Sequence, residues 1–420
     1  MNEWRKVKLG EIINILNGYS FKKEDFSEYG IPVIKIKNIK SLIVDTEDVQ
    51  FVNENFYEAK KKYRVNYKDI LLSMTGSHIS QINSVVGRVA RMKKIGKYLL
   101  NQRVAKLVSK DKKILNEDFL YYFLSQEETT YQLALSAGGS ANQANIGNNN
   151  IYELIINLPS IFLQEKIAKI LSDIDEKIEL NNKINNNLEE QAQLIFKSWF
   201  IDNPQKYSWK QGTFSDIIKN TLGGDWGKEQ PNGNYIKKVF CIRGADIPSL
   251  KKGDKKNLPI RYILEKNYDT KKLLTNDLVI EISGGSPIQS TGRIAHISKY
   301  SLECCSKNLI CTNFCRAMRP KNNFSMFIFY YWQYLYDKGI FFSYENGTTG
   351  IKNLDLSGFI TSEPIYIPTE DLLFKFDDFC QKISNIIFSN GKQNEKLINL
   401  KNYLLPKLMN GEIDVENIEL

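Results

Sequence analysis

The feature that most constrains this chain is an apolar seam that is written twice. From Ile167 the apolar residues fall alternately four and three apart through Leu171, Ile174 and Ile178, and again through Leu188, Ala192, Ile195 and Trp199. Two asparagines, Asn181 and Asn185, hold the seam positions between them. Such spacing, kept over about four heptads, is the pattern of a coiled coil. It returns at a constant offset of 209 (Ile174 to Ile383) as Phe376, Cys380, Ile383, Ile387, Asn390, Asn394, Leu397, Lys401, Leu404 and Leu408. Even the two asparagines recur. A seam asparagine weakens a coiled coil but fixes register and partner, because its amide is costly to bury unless it meets another polar group. Asn181, Asn185, Asn390 and Asn394 are therefore the candidate register residues, with Asn181 opposite Asn394 and Asn185 opposite Asn390. Parallel and antiparallel pairing both match Asn to Asn. The connectivity of a two-copy chain favours the antiparallel one. Asn182, Asn186 and Asn187 lie off the seam and are free to face solvent or a partner.

Once one repeat is seen, the rest of the chain divides at half its length. Trp4-Arg5-Lys6 with Leu9 to Ile13 recurs as Trp209-Lys210-Gln211 with Phe214 to Ile218. Asp69 to Ser77 is answered by Asp277 to Ser286, and Gly87-Arg88-Val89-Ala90 by Gly292-Arg293-Ile294-Ala295. Each half then carries an aromatic run, FLYYFLSQ (119–126) and MFIFYYWQYL (326–335), which at helical spacing reads as core rather than as a platform for stacking bases. A Gly/Ser/Thr loop follows (137–147 and 345–354), and each half closes on a short apolar strand ending at Pro159 or Pro368. Ser160 and Thr369 stand at the N-cap positions of the two long helices. The expected organisation is a globular domain over 1–159, a helix over 160–205, a second domain over 206–368 and a second helix over 369–420. The fold class is α+β: two pseudo-repeated α/β domains, each beginning with a helix and including one internal helix, separated by two long helices that form an antiparallel coiled coil.

Charge follows the same division. Residues 1–159 hold 23 basic against 17 acidic side chains and residues 206–368 hold 23 against 14, whereas the helical segments 160–200 and 369–420 are net acidic, 5 against 7 and 6 against 9. Two basic blocks separated by acidic helices suit two footprints on a polyanion such as nucleic acid. No signal-peptide core or 18-residue apolar run occurs, so the expected place is the cytoplasm. The six cysteines match no CxxC pair or disulfide framework and read as free thiols. A metal cluster at Cys304, Cys305, Cys311 and Cys315 would need an adjacent pair to share a tetrahedron, with only two histidines in the chain, so no metal is expected.

With this layout in place, LPSIFLQEKIAKILSDIDEKIELNNKINNNLEEQAQLIFKSWF (158–200) closely resembles the central conserved helix of the specificity subunit of type I restriction-modification systems. NEKLINLKNYLLPKLMNGEI (394–413) resembles that family's distal helix. The resemblance covers the whole chain. It implies a non-catalytic DNA reader whose two domains each bind one half of a bipartite, asymmetric site on double-stranded DNA, while the helices set the gap and dock two methyltransferase (modification) subunits. Those partners would bind S-adenosylmethionine and methylate adenine N6, and a motor-endonuclease (restriction) subunit would add ATP-dependent cleavage. No cofactor is expected in this chain. The residues agree that it lacks its own active site: no adenine-methylase NPP[YF] motif, FxGxG cofactor loop or GxxxxGK[ST] phosphate loop is present. The alternative is a coiled-coil scaffold that binds nucleic acid nonspecifically.

Phosphate positioning needs Lys, Arg, Ser, Thr, Asn and backbone amides, and base reading needs Arg, Asn or Gln at a groove edge. Loops placed alike in both halves supply these. In the first half they hold Lys35, Lys37 and Asn38; Thr75, Ser77 and Gln81; Arg88; Gln102 and Arg103; and Ser140, Asn142 and Gln143. In the second they hold Arg243; Ser286, Gln289 and Ser290; Arg293; Asn313; and Thr348, Thr349 and Lys352. The halves differ most in the loops before Gly87 and Gly292, so two different half-site sequences are expected.

Overall fold

The computed structural model describes residues 4–77, 86–140, 143–253, 258–286, 288–347 and 351–419. They divide into two compact units, residues 1–176 with 398–420 and residues 177–397. Each unit thus takes one stretch of both long helices.

Each half opens on a strand, not on the helix that its first residues suggest. Arg5–Lys8 pairs antiparallel with Ile155–Leu158, and Lys210–Thr213 pairs in the same way with Pro364–Ile367. The helix that follows is a single turn in each case, Leu9–Ile12 and Phe214–Ile217. Within Arg5–Lys8 Val7 alone points into the core, which suits a strand at an edge. The pairing fastens the start of each half to the strand that leads into a long helix.

The two units share one strand order. In the first, Ile13–Asn17, Val104–Ser109, Ile70–Ser73 and Val89–Arg91 lie side by side. In the second, Ile218–Gly223, Cys315–Pro320, Leu278–Glu281 and Ile294–His296 repeat that order. A parallel pair, Ile31–Ile34 with Tyr98–Leu100, is matched by Tyr235–Ile242 with Leu309–Cys311. Ile70, Leu71 and Leu72, like Leu278, Val279 and Ile280, are buried throughout, as expected for central strands covered on both faces. The aromatic runs form the helices Glu117–Leu124 and Ser325–Asp337 and pack inward, with Phe119, Tyr122, Phe327 and Trp332 almost fully buried. Both units contain more helices than the one internal helix each half suggests, among them Glu127–Leu135 in the first and Lys299–Cys304 in the second.

The long helices run Ile161–Phe196, ending in a π-helical turn at Lys197–Ile201, and Glu370–Met409. Ser160 Oγ caps the first by accepting from Leu163 N at 3.4 Å. Gln164, fully buried, bonds Asn116 N, Ile114 O and Pro159 O and so pins the first turn to the domain. The helices pair antiparallel: within the second unit, Phe196 lies 5.9 Å from Phe376 between ring centroids, while Asn185 meets Asn390 and Asn181 meets Asn394. No described helix is long and apolar enough to cross a membrane.

All six cysteines are free thiols, and among the described residues no three metal-binding side chains gather. Burial pushes the Cys311 and Cys315 thiols up to about 12.

Candidate nucleic-acid interface

The loops singled out in the sequence converge in each unit, and backbone hydrogen bonds bring them there. In the first unit Asn101 N donates to Ile34 O at 3.0 Å, which sets the turn after Ile34 beside Gln102-Arg103. Met74 N donates to Arg103 O (3.0 Å), and Ile146 N donates to Met74 O (2.8 Å). Met74 therefore ties the 102–103 loop to the returning hairpin. The second unit repeats this: Thr312 N to Ile242 O at 2.9 Å, Ile282 N to Phe314 O at 2.9 Å, and Leu354 N to Ile282 O at 2.8 Å. Beyond Met74 and Ile282 each chain continues into a small three-stranded sheet. Thr75–Gly76 pairs with Gln143–Asn145, which pairs with Gly138–Ser140; Ser283–Gly284 pairs with Lys352–Leu354, which pairs with Glu345–Asn346.

Within this frame the predicted residues fare differently. Lys35 is half-buried, bonded to Gln50 and 3.7 Å from the Phe26 ring; burial, and then Lys37, depress its pKa. Lys37 is exposed and pairs with Asp48 at 2.7 Å. Asn38 is a correction: it is 1% exposed, its Oδ1 accepts from Lys35 N at 3.0 Å and its Nδ2 donates to Asp48 O at 2.8 Å, so it closes a turn and is buried away from any base edge. Arg243 begins the equivalent turn, and its guanidinium lies on Asp246 through Nε and Nη2 at 2.9 and 2.8 Å.

Thr75 is buried, Ser77 half-buried, and Arg88 is half-buried in the wall of a cavity of about 320 Å³ shared with Ser41, Val86 and Tyr131. Gln102, Arg103, Gln289 and Asn313 are exposed. Ser286 is half-buried, its Oγ accepting from Gln289 N at 3.1 Å. Three further residues are held by partners within the protein. Ser290 is buried, its carbonyl taken by Tyr336 Oη at 3.1 Å. Arg293 makes a two-point ion pair with buried Glu281, at 2.7 and 2.6 Å, which raises its pKa and neutralises its charge. Lys352 pairs with Glu345 at 2.8 Å. Glu345 in turn accepts from Thr291 N and Oγ1 at 2.6 and 2.9 Å; burial pushes its carboxyl up, but the bonds from Lys352 and Thr291 outweigh this and leave it below the usual range. Gln81, Asn142, Thr348 and Thr349 lie outside the described residues, as do the side chains of Ser140 and Gln143.

Sequence reading missed two residues here, Phe314 and Asn353, whereas Asn145 ends the candidate loop that begins at Ser140. Phe314 is 59% exposed beside Asn313, although its setting between Thr312 and Cys315 resembles buried strand. Asn145 and Asn353 stand directly opposite Thr75 and Ser283 in the small sheets and accept from their hydroxyls. Their shared offset of 208 (145 to 353, 75 to 283) was available as a signal.

On the helices, Asn181 Nδ2 donates to Asn394 Oδ1 and to Gln393 Oε1, both at 2.8 Å, and Asn390 Nδ2 donates to Asn185 Oδ1 at 2.8 Å. Asn182 is exposed, as its place off the seam suggests, and its Oδ1 also accepts from Asn394 Nδ2 at 3.0 Å, so it completes the cluster from just off the seam. Asn186 and Asn187 face solvent.

A tandem-duplicated α/β chain, with matched loop clusters in its two units and a paired helix from each half, is the class of protein defined by this geometry. Residues 1–190 match the family model of the type I restriction modification DNA specificity domain. The provisionally named MjaX type I restriction enzyme specificity subunit of Methanocaldococcus jannaschii is 24% identical over 427 residues, 99% of this chain and 94% of that protein. The MjaIX specificity subunit of the same organism is 26% identical over 331 residues, 76% and 73% of the two chains. The crystal structure of the type I restriction-modification S subunit from M. genitalium shares the fold with a TM-score of 0.57 at 16% identity, over 97% of this chain and 96% of that one. The chain is thus similar over nearly its whole length to type I restriction-modification specificity subunits, and its first 190 residues match their DNA specificity domain.

Proposed function

We propose that this chain is the DNA sequence-specificity subunit of a type I restriction-modification complex, each unit reading one half of a bipartite site. The observation that carries the reading is the duplication itself. The same strand order and the same backbone bonds at Met74 and Ile282 present a loop cluster twice, and the exposed side chains differ between copies, Gln102-Arg103 against Asn313-Phe314. Two like frames with unlike side chains suit two half-sites of different sequence. The first long helix, 36 residues or about 54 Å at 1.5 Å per residue, joins the halves, and the helix pair sets the spacing. The nonspecific scaffold is not favoured, since the likeness to specificity subunits and the matched clusters both speak for sequence reading.

The acidic helices offer little to phosphate and suit docking of two methyltransferase subunits. Those partners bind S-adenosylmethionine and transfer its methyl group to adenine N6; a motor-endonuclease subunit completes an ATP-dependent nuclease. The assembly works in the cytoplasm, and this chain contributes no catalytic group. The test is methylome sequencing of cells that express the chain with its methyltransferase partner. A new methylated motif of two dissimilar halves at fixed spacing is expected; absence of any bipartite motif refutes the reading.

A further inference from the structure

We infer that Asn145 and Asn353 are a matched pair of backbone clamps, one in each unit, that hold phosphate rather than read bases. The inference rests on the specificity reading above. Asn145 stands directly opposite Thr75, and Asn353 directly opposite Ser283, in the small sheets beyond Met74 and Ile282. Thr75 Oγ1 donates to Asn145 Oδ1 at 2.8 Å, and Ser283 Oγ donates to Asn353 Oδ1 at 2.7 Å. Directly opposed residues of an antiparallel pair share a face and lie within reach of such a bond. In both units a hydroxyl therefore engages the acceptor end of the carboxamide and fixes which way it points.

The consequence is directional. With one Oδ1 lone pair engaged by the hydroxyl, each carboxamide keeps both Nδ2 donors available, and both asparagines are exposed. A fixed donor seeks an acceptor, and the non-bridging phosphate oxygens are acceptors at every nucleotide. Base edges offer acceptors only at some positions. The second step comes from the repeat. The exposed residues of the neighbouring loops differ between halves, whereas this hydroxyl–carboxamide pair is kept at an offset of 208 (75 to 283, 145 to 353). A feature common to two readers of different sequences suits what the half-sites have in common, the sugar-phosphate chain, and contacts of that kind position without specifying.

The test uses the full chain assembled with its methyltransferase subunits, on a duplex carrying the motif found by methylome sequencing and on a scrambled duplex. Asn145→Asp and Asn353→Asp keep an oxygen for Thr75 or Ser283 but replace the donor with a charge that repels phosphate. Each is expected to weaken binding by about tenfold or more, the loss of a hydrogen bond to a charged group. The loss is expected on both duplexes alike, with the methylated motif unchanged. Thr75→Val, which frees the carboxamide, is expected to weaken binding less, and Thr75→Ser to restore it. Wild-type affinity in both Asp variants overturns the inference, and so does a motif that relaxes at one base position, the mark of a base reader. If the wild-type complex itself yields no bipartite motif, the specificity reading fails first and the clamps with it.

Discussion

The buried asparagine cluster makes a quantitative prediction about how the helices are paired. Asn181 is fully buried; its Nδ2 serves Asn394 Oδ1 and Gln393 Oε1, while its own Oδ1 has no partner. Replacing Asn181 alone with leucine adds about 2 kcal/mol of apolar burial. It also strips Asn394 Oδ1 of its donor in a buried site, which costs about 1–3 kcal/mol. The single substitution should therefore change stability little. Asn181→Leu with Asn394→Leu removes both ends of the bond and lets two leucines meet in the seam, so the double variant should be clearly more stable than wild type. The hydrogen bond couples the wild-type pair and leucine packing couples the double variant. Both terms have the same sign, giving a coupling of about 2 kcal/mol. The cycle can be measured by urea denaturation followed through tryptophan fluorescence, since Trp199, Trp209, Trp226 and Trp332 all lie in the second unit and only Trp4 in the first. The double variant should also lose the polar constraint on register there, leaving Asn185 and Asn390 to hold it. If the two single effects add to within about 0.5 kcal/mol, as they do for sites without shared contacts, the pairing argument is wrong.

Other perturbations follow from particular contacts. In the first unit Asp175 accepts from Tyr122 Oη at 2.9 Å and from Lys401 Nζ at 2.6 and 2.8 Å, and the ion pair is largely buried. Lys401→Met should cost about 3 kcal/mol in denaturant unfolding by stranding the carboxylate, and adding Asp175→Asn should recover part of it. Gly391 sits inside the second long helix, where a Cβ would lie 2.8 Å from the carbonyl oxygens of both Gly253 and Lys252. Alanine normally stabilises a helix interior by about 1 kcal/mol over glycine. Gly391→Ala should instead lower the melting temperature, and a rise would show that the loop yields. His296 is buried against Asn276 Oδ1 at 3.1 Å, and burial lowers its pKa to about 4. The unfolded chain, with the ordinary value of 6.5, takes up a proton that the fold refuses, so stability falls as pH drops from about 6.5 to about 4. The loss should total about 3 kcal/mol, and His296→Leu should flatten that part of the pH–stability profile.

How much of this was legible in the sequence depended on whether a signal was periodic or tertiary. The seam is periodic, so Ile167 to Trp199 and Phe376 to Leu408 could be read directly, and the recurrence of Asn181 and Asn185 at Asn390 and Asn394 followed. The bond between Asn182 and Asn394 escaped because it comes from the opposite helix, whose side chain reaches just past the seam. The opening strand of each half escaped because Arg5–Lys8 finds its partner about 150 residues away, at Ile155–Leu158. The candidate DNA residues were chosen by chemical type and by matched position. Type alone cannot reveal that Arg293 faces Glu281 across an antiparallel pair, that Lys352 faces Glu345, or that Asn38 closes its own turn.

The same contrast suggests how one frame can serve many target sequences. At Met74 and Ile282 the bonds that gather the loops run from backbone to backbone, so they are indifferent to the side chains that the loops carry. Gln102 and Arg103 can become Asn313 and Phe314 without loss of a structural bond, because Arg103 and Phe314 contribute only their carbonyls to it. Side chains that do hold the frame are withdrawn from the surface: Asn38 into its turn, Glu281 and Glu345 onto neighbouring cations. Substitution at an exposed loop position should therefore alter which bases are preferred while leaving unfolding unchanged to within about 0.5 kcal/mol. Substitution at Glu281 should do the reverse, stranding Arg293 and destabilising the second unit without selecting a new sequence.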